Sequence, residues 1–330
     1  MSASEHVLVT GGAGMIGSDL VKRLVSLGYK VSVVDNLWRG QKEYLLGDTG
    51  NPVIDMDKDF FELDLSVPGK LDSIIDHVDY IFHLADIVAG INYVFNNQGS
   101  VFRQNILINS NVITSARSAS LKGFIYVGTA CSFPADKQTG VDAPPLKEED
   151  IYPAAPESAY GWSKLMGEYE TFLMGDETGT PVSVLSLHNV YGPPCDFSEH
   201  SGQVIPSLIR KAIKYPDEPF EVWGSGNQGR AFVYTNDITD ALITAMTKGL
   251  GKGVIQIGPD ICHSIKEIAE LVVEISGKDI DIHYDTNRPE GDRGRCADYS
   301  KARRILGWEP RTSLRDGLSN TYEWISKKLI

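Results

Sequence analysis

Short apolar runs separated by segments of helical period dominate the first half of the chain. The run HVLVT, residues 6–10, is rich in valine and enters the glycine-rich stretch GGAGMIG, after which Ile16, Leu20, Leu24 and Leu27 recur at helical spacing up to Gly28. This pattern predicts a strand, a glycine turn and a helix. A second strand, KVSVVD, follows and ends in Asp35, and the runs YIFHLA and FIYV alternate further on with longer segments of helical character. Such alternation predicts an α/β fold, a Rossmann-type, doubly wound parallel sheet with helices on both faces. From Pro193 the pieces become shorter and richer in loops, among them VIPSLIRKAI, FEVWGSGNQGRAFVYTND and GVIQIG. They predict a smaller mixed C-terminal substrate lobe, residues 193–330, beside a main domain of residues 1–192, with possible chain crossovers between the two. A last helix is expected from about Leu314.

A chain of 330 residues, 42% of them hydrophobic, can bury a large core. Its formal charge of −13 opposes nucleic acid, whose phosphates are bound by a surplus of Lys and Arg. Cys131, Cys195, Cys262 and Cys296 show neither a C-x-x-C pair nor a metal-ligand spacing. No apolar run approaches the roughly 18 residues of a membrane span, and MSASEHVLVT has no basic segment followed by an apolar core. The expectation is an enzyme of the reducing cytoplasm, with no metal, no membrane and no nucleic-acid partner.

Gly11, Gly14 and Gly17 stand between a strand and a helix, and an acid, Asp35, ends the next strand 18 residues past Gly17. In that context the glycines let the backbone turn sharply and approach a pyrophosphate at the positive end of the helix. Asp35 would accept from the adenosine ribose hydroxyls and repel a 2′-phosphate, which favours NAD over NADP, although Arg39 blurs that preference. A second group, AYGWSK, sets Tyr160 and Lys164 four apart, on one face of a helix. A nearby ammonium and a cationic nicotinamide both favour the phenolate, which can then take the proton of a sugar hydroxyl while hydride leaves its carbon.

Together with FELDLS, HLAD, HNVYGP and WGSGNQGRAFVYTND, these motifs resemble the extended short-chain dehydrogenase/reductases that act on nucleotide sugars, over nearly the whole chain. Within that family TACSFP, HNVYGP, WGSGNQGRAF and RPEGDRGR are most similar to the GDP-mannose 3,5-epimerase group. The resemblance implies NAD contacts from Met15, Ile16, Asn36, Asp64, Leu65, Leu84, Ala85 and Asn105, besides the glycines, Asp35, Tyr160 and Lys164. It implies that Thr129 bonds the reacting sugar oxygen beside Tyr160, and that the residue two later matches the chemistry. Dehydratases of the family carry an Asp-Glu pair after the hydroxyl, whereas this chain has Ala130 and Cys131. A thiol can exchange a proton on a carbon next to a ketone, so oxidation at C4 would let Cys131 epimerise C3, C5 or both.

The second acid/base lysine of those epimerases is replaced here by Gln203, which supplies no proton; His200 stands three residues earlier. Cys131 acting alone, reprotonation by water, or simple 4-epimerisation therefore all stay open, as do a dehydratase, decarboxylase or reductase and, last, an NAD-binding sensor without chemistry. The resemblance further implies a nucleotide-diphosphate sugar held by Gly90, Asn189, Gln203, Arg230, Arg293 and Arg295, and a homodimer paired through two helices of each subunit. His83 reads as structural, and His188 takes a place where relatives have arginine.

Overall fold

The computed structural model describes residues 4–199, 202–288 and 293–329. In chain order the first elements are β1 (His6–Thr10), α1 (Met15–Ser26), β2 (Lys30–Asp35), β3 (Phe60–Glu62), β4 (Tyr80–His83), α2 (Ile91–Asn96), α3 (Gln98–Ala116) and β5 (Gly123–Thr129). They are followed by α4 (Ala159–Thr178), β6 (Val182–Leu187), β7 (Asn189–Tyr191), α5 (Val204–Lys214), β8 (Glu221–Trp223), β9 (Gly229–Arg230) and β10 (Phe232–Tyr234). The rest comprises α6 (Thr235–Thr244), β11 (Val254–Ile257), β12 (His263–Ser264), α7 (Ile265–Ser276), β13 (His283–Asp285), β14 (Gly294–Arg295), α8 (Ser300–Leu306) and α9 (Leu314–Leu329).

Seven strands form one parallel sheet in the order β11-β6-β5-β4-β1-β2-β3. Its strands are apolar on both faces because helices cover both, so β5 and β6 are buried at every residue. One face packs Leu20, Val21 and Leu24 of α1 with Ala241 and Leu242 of α6, and the other packs Ile108 and Val112 of α3 with Met174 of α4. The α/β class and the doubly wound sheet are as the pattern predicts. GVIQIG, read from sequence among the small-lobe pieces, instead supplies β11 at the edge of this sheet, pairing Val254–Ile257 with Val184–Leu187. Its run Val-Ile-Gln-Ile is what a strand covered on both faces requires.

The smaller lobe holds the pairs β7/β10 and β8/β13 and a three-stranded sheet β12-β9-β14. A separate core of Ile209, Phe220, Ile268, Val272 and Leu318 joins α5, α7 and α9 to them. Among the described residues no helix is long and apolar enough to cross a membrane. The sheet order reverses between β1 and β4, and the C-terminal ends of such strands are where an open parallel sheet leaves a crevice.

Candidate active site

A cavity of about 400 Å³ opens at that reversal, lined by Gly11, Gly14, Met15, Ile16, Gly17, Asp35, Asn36, Leu65, Leu84 and Ala85 at one end. Gly11 has φ of +72°, and a Cβ there would lie 2.8 Å from the Ala85 nitrogen, while one on Gly17 would lie 2.2 Å from the Gly11 carbonyl oxygen. Only glycine lets this turn fold onto both the helix and the end of β4. α1 begins with Gly14 as its cap and no side chain bonds its first N–H groups, which suits a pyrophosphate. Asp35 is buried, and its carboxylate accepts from Ala13 N at 3.0 Å and from Leu37 N at 2.8 Å. Burial pushes the carboxyl up and those backbone donors pull it down. The backbone donors Ala13, Leu37 and Asn36 thus use part of a carboxylate's roughly four acceptor sites and leave the rest for ribose hydroxyls. Arg39 also lines the cavity, where it donates to the Val88 carbonyl and pairs with Asp196 at 3.4 Å.

At the other end the wall consists of Thr129, Cys131, Tyr160, Lys164, Asn189, Arg230 and Arg295. Thr129 ends β5 and its hydroxyl accepts from Cys131 N at 3.2 Å, capping the short turn that carries the thiol. α4 starts from Ser158, whose hydroxyl accepts from Gly161 N, and a Cβ on Gly161 would lie 2.1 Å from the Cys131 carbonyl oxygen. The glycine of YGWSK therefore lets the Tyr160 helix close onto the Thr129–Cys131 turn. Arg295, buried on β14, donates through Nη2 to Cys131 Sγ at 3.1 Å and through Nη1 to Gln138 Oε1 at 3.0 Å. Gln138 in turn donates to the carbonyls of Phe133 and Pro134, which fixes the arrangement. Burial pushes the Tyr160 phenol well up, with Asp86 and Cys131 acting the same way, while the Thr129 hydroxyl and Arg295 oppose them. Lys164 Nζ lies 2.8 Å from Asp86 Oδ2 and 4.5 Å from the centre of the Tyr126 ring.

The structure does not bring every expected residue to the wall. Asp64 is exposed and accepts from Ser66 N, although its neighbour Leu65 lines the cavity. Asn105 is buried behind the wall and clamps the chain after β4, accepting from Ile87 N at 2.8 Å and donating to the Ile87 carbonyl and to Ser163 Oγ. Arg293 is exposed and contributes its carbonyl to Gly229 N. Gly90 lies in an adjoining cavity of about 470 Å³, which shares Asn189, Gln203 and Arg230 with the first and is lined further on by Trp223 and Arg288. Asn189 is well placed for a ligand, because its Oδ1 is buried without a hydrogen-bond partner among the described residues. Arg230 and Arg295 are buried register partners on adjacent strands. His200 and residues 289–292 of RPEGDRGR lie outside the described residues.

His83 bonds Thr10 Oγ1 at 2.7 Å and Asn109 Oδ1 at 2.9 Å, and burial pushes its imidazole down to about 3, the expected structural histidine. His188 lines the cavity, meets Gln256 Oε1 at 3.1 Å and is pushed down to about 4 by burial, so it is a neutral group where an arginine was the comparison. Sequence reasoning missed Asp86 and Gln138. Asp86 is the last residue of the HLAD motif itself, a signal that could have been followed; Gln138 carries none.

A glycine turn at a sheet reversal, a buried acid ending the second strand and a Tyr-Lys helix against a Thr-x-Cys turn define an NAD-dependent enzyme of the extended short-chain dehydrogenase/reductase class. The chain belongs to the NAD-dependent epimerase/dehydratase family, whose model matches residues 7–258. It is 31% identical over 328 residues to GDP-mannose 3,5-epimerase of Arabidopsis thaliana, covering 99% of this chain and 84% of that protein. It is 29% identical to UDP-N-acetyl-alpha-D-glucosaminuronate decarboxylase of Bacillus cytotoxicus, covering 97% of each. Among solved structures, UDP-glucose 4-epimerase of Thermotoga maritima with UDP-glucose superposes with a TM-score of 0.87 at 30% identity, over 98% of this chain and all of that one. The Bordetella bronchiseptica enzyme WbmF in complex with NAD+ gives 0.77 at 28% identity, over 99% and 94%.

Proposed function

We propose that this enzyme epimerises a nucleotide sugar beside a transient C4 ketone, with Cys131 as the acid/base at C3, C5 or both, as a GDP-mannose 3,5-epimerase does. The observation that carries this reading is the buried Arg295 guanidinium 3.1 Å from Cys131 Sγ, one turn of chain from Thr129. A cysteine that merely fills space has no use for a cation on its sulfur, whereas a thiol that cycles through thiolate does. NAD supplies the hydride acceptor and donor. Tyr160 takes the proton of the C4 hydroxyl and later returns it, and Thr129 holds that oxygen. With C4 a ketone, the Cys131 thiolate takes the proton from the neighbouring carbon, the electron pair moves to the C4 oxygen, and reprotonation on the opposite face inverts the centre. Asn189 Oδ1 accepts from a sugar hydroxyl, and Arg230 holds the diphosphate.

The test is incubation with GDP-mannose in D2O, followed by NMR and mass spectrometry. Deuterium at C3 or C5 that disappears in Cys131→Ala supports the reading, and isomerisation without deuterium overturns it. The second reading, 4-epimerisation, is favoured by Gln203, which lines the cavity where a second proton donor would stand. UDP-glucose is its test substrate.

The outer faces of α3 and α4 expose Phe102, Trp162, Tyr169 and Leu173. We infer that two copies of this chain pair there as a four-helix contact. Tyr169→Glu should halve the mass measured by light scattering.

A further inference from the structure

Asp86 ends the HLAD stretch and lines the cofactor cavity, yet its side chain is only 1% exposed and its partner, the ammonium of Lys164, only 4%. The two lie 2.8 Å apart. A carboxylate taken so far out of water is costly unless a cation faces it, and a buried lysine needs the converse. The chain around the pair is held firmly. Asp86 Oδ1 accepts from Ile87 N at 3.0 Å, and Asn105 grips both the N–H and the carbonyl of Ile87 while also reaching Ser163, the residue before Lys164. Asn105 thus ties the loop after β4 to the helix that carries the lysine.

The other titratable groups near the ammonium do not take Asp86's place. His83 is bonded at both ring nitrogens. Tyr126 presents its ring face to Nζ and donates its hydroxyl to the Lys164 carbonyl. Tyr160 lies one turn before Lys164 and Glu168 one turn beyond, the latter a buried carboxyl pushed up to about 7. Burial pushes the Asp86 carboxyl up as well, with the Lys164 ammonium and Ile87 N pulling it back, and at 2.8 Å it is the one carboxylate in ion-pair contact with that ammonium among the described residues.

This bears directly on the cofactor, because the nicotinamide ring is cationic when oxidised and neutral when reduced. A lone ammonium in a low-dielectric cavity repels the oxidised ring and pulls the cofactor toward its reduced form; a neutral pair does neither. We propose that Asp86 is the resident counter-ion of Lys164, and that the pair balances the affinity of the site for NAD+ against that for NADH. The inference rests on NAD binding in this cavity and is independent of which sugar the enzyme uses or which carbon it inverts.

The test is binding. Protein equilibrated with mixtures of NAD+ and NADH of known ratio is freed of unbound cofactor, and the bound ratio is read after release. Asp86→Asn should shift that ratio toward NADH on the order of tenfold, the effect of one uncompensated unit charge at roughly 10 Å and an effective dielectric near 20. Should the single variant not fold with its lysine unmatched, Asp86→Asn combined with Lys164→Met removes both charges, and its ratio should return to within about twofold of the wild type. An unshifted ratio in Asp86→Asn, or a double variant whose ratio lies about tenfold from the wild type, overturns the proposal.

Discussion

At the adenosine end of the cavity a ligand meets chiefly backbone from one early stretch of chain, Gly11–Gly17, and a single carboxylate, Asp35, at the end of the next strand, with Leu65, Leu84 and Ala85 closing the wall. At the reaction end it meets side chains drawn from β4's exit loop, the Thr129–Cys131 turn, α4, Asn189 and, from far along the chain, Arg230 and Arg295. The first end works by shape and by unbonded N–H groups, so its residues are irreplaceable chiefly where no Cβ fits. The second works by charges that answer one another across sequence distance: Arg295 to Cys131 and Lys164 to Asp86. Damage at the first end should therefore weaken NAD+ and NADH alike and leave the chemistry of bound cofactor alone, whereas damage at the second should slow the chemistry and, at Asp86 and Lys164 only, shift the balance between the two cofactor forms.

The strongest challenge to that division is Tyr160→Phe. Turnover should fall by about 10²–10⁴, the usual worth of a positioned acid/base, while NAD binding stays within a few-fold of the wild type; a matching loss of NAD affinity would erase the distinction. Gly17→Ala sets a methyl 2.2 Å from the Gly11 carbonyl and should cost about 1–3 kcal/mol, seen as roughly 10–100-fold weaker NAD binding in a calorimetric titration. At saturating NAD its turnover should recover. Arg295→Gln keeps a neutral donor and removes the cation, so alkylation of Cys131 by iodoacetamide at neutral pH should slow about tenfold, with NAD affinity unchanged. Equal rates would show that the guanidinium serves something other than the sulfur.

A last expected effect concerns stability against pH at the reaction end. Burial pushes the Glu168 carboxyl up to about 7 from an ordinary value of 4.5, so the folded state holds its proton more tightly than the unfolded chain does. Its stabilising contribution is complete below pH 4.5 and is lost as the pH rises through 7. The melting temperature should therefore fall between pH 5 and 8 more steeply in the wild type than in Glu168→Gln. The difference is expected to be on the order of 1–3 kcal/mol. Parallel curves would mean that the Lys164 ammonium already offsets the burial of that carboxyl.

The two ends were also unequally legible from the amino-acid order. Strand, glycine turn, helix and acid lie within about thirty residues, and local sterics alone demand that spacing, so the adenosine end could be read directly. Tyr160 and Lys164 were legible for the same reason, one helix face being a local property. Arg39 and Asn105 were harder. The first is taken by Val88 and Asp196, and the second clamps Ile87 from behind the wall; nothing in either neighbourhood announces those partners. GVIQIG was legible as a strand and not as a strand of the large sheet, because pairing with β6 is chosen by the register of distant segments.

The order of residues alone thus determined the class of fold, the cofactor and the placing of Tyr160 and Lys164 on one helix, since each depends on period, on glycine's missing side chain or on spacing within one element. Tertiary structure decided which charges face one another. Arg295 is 164 residues from Cys131, and Lys164 meets Asp86 only because β4 and α4 converge on one buried point. Electrostatic pairing in a cavity falls off with distance in space and takes no account of distance along the chain, so it is settled only when the chain has folded.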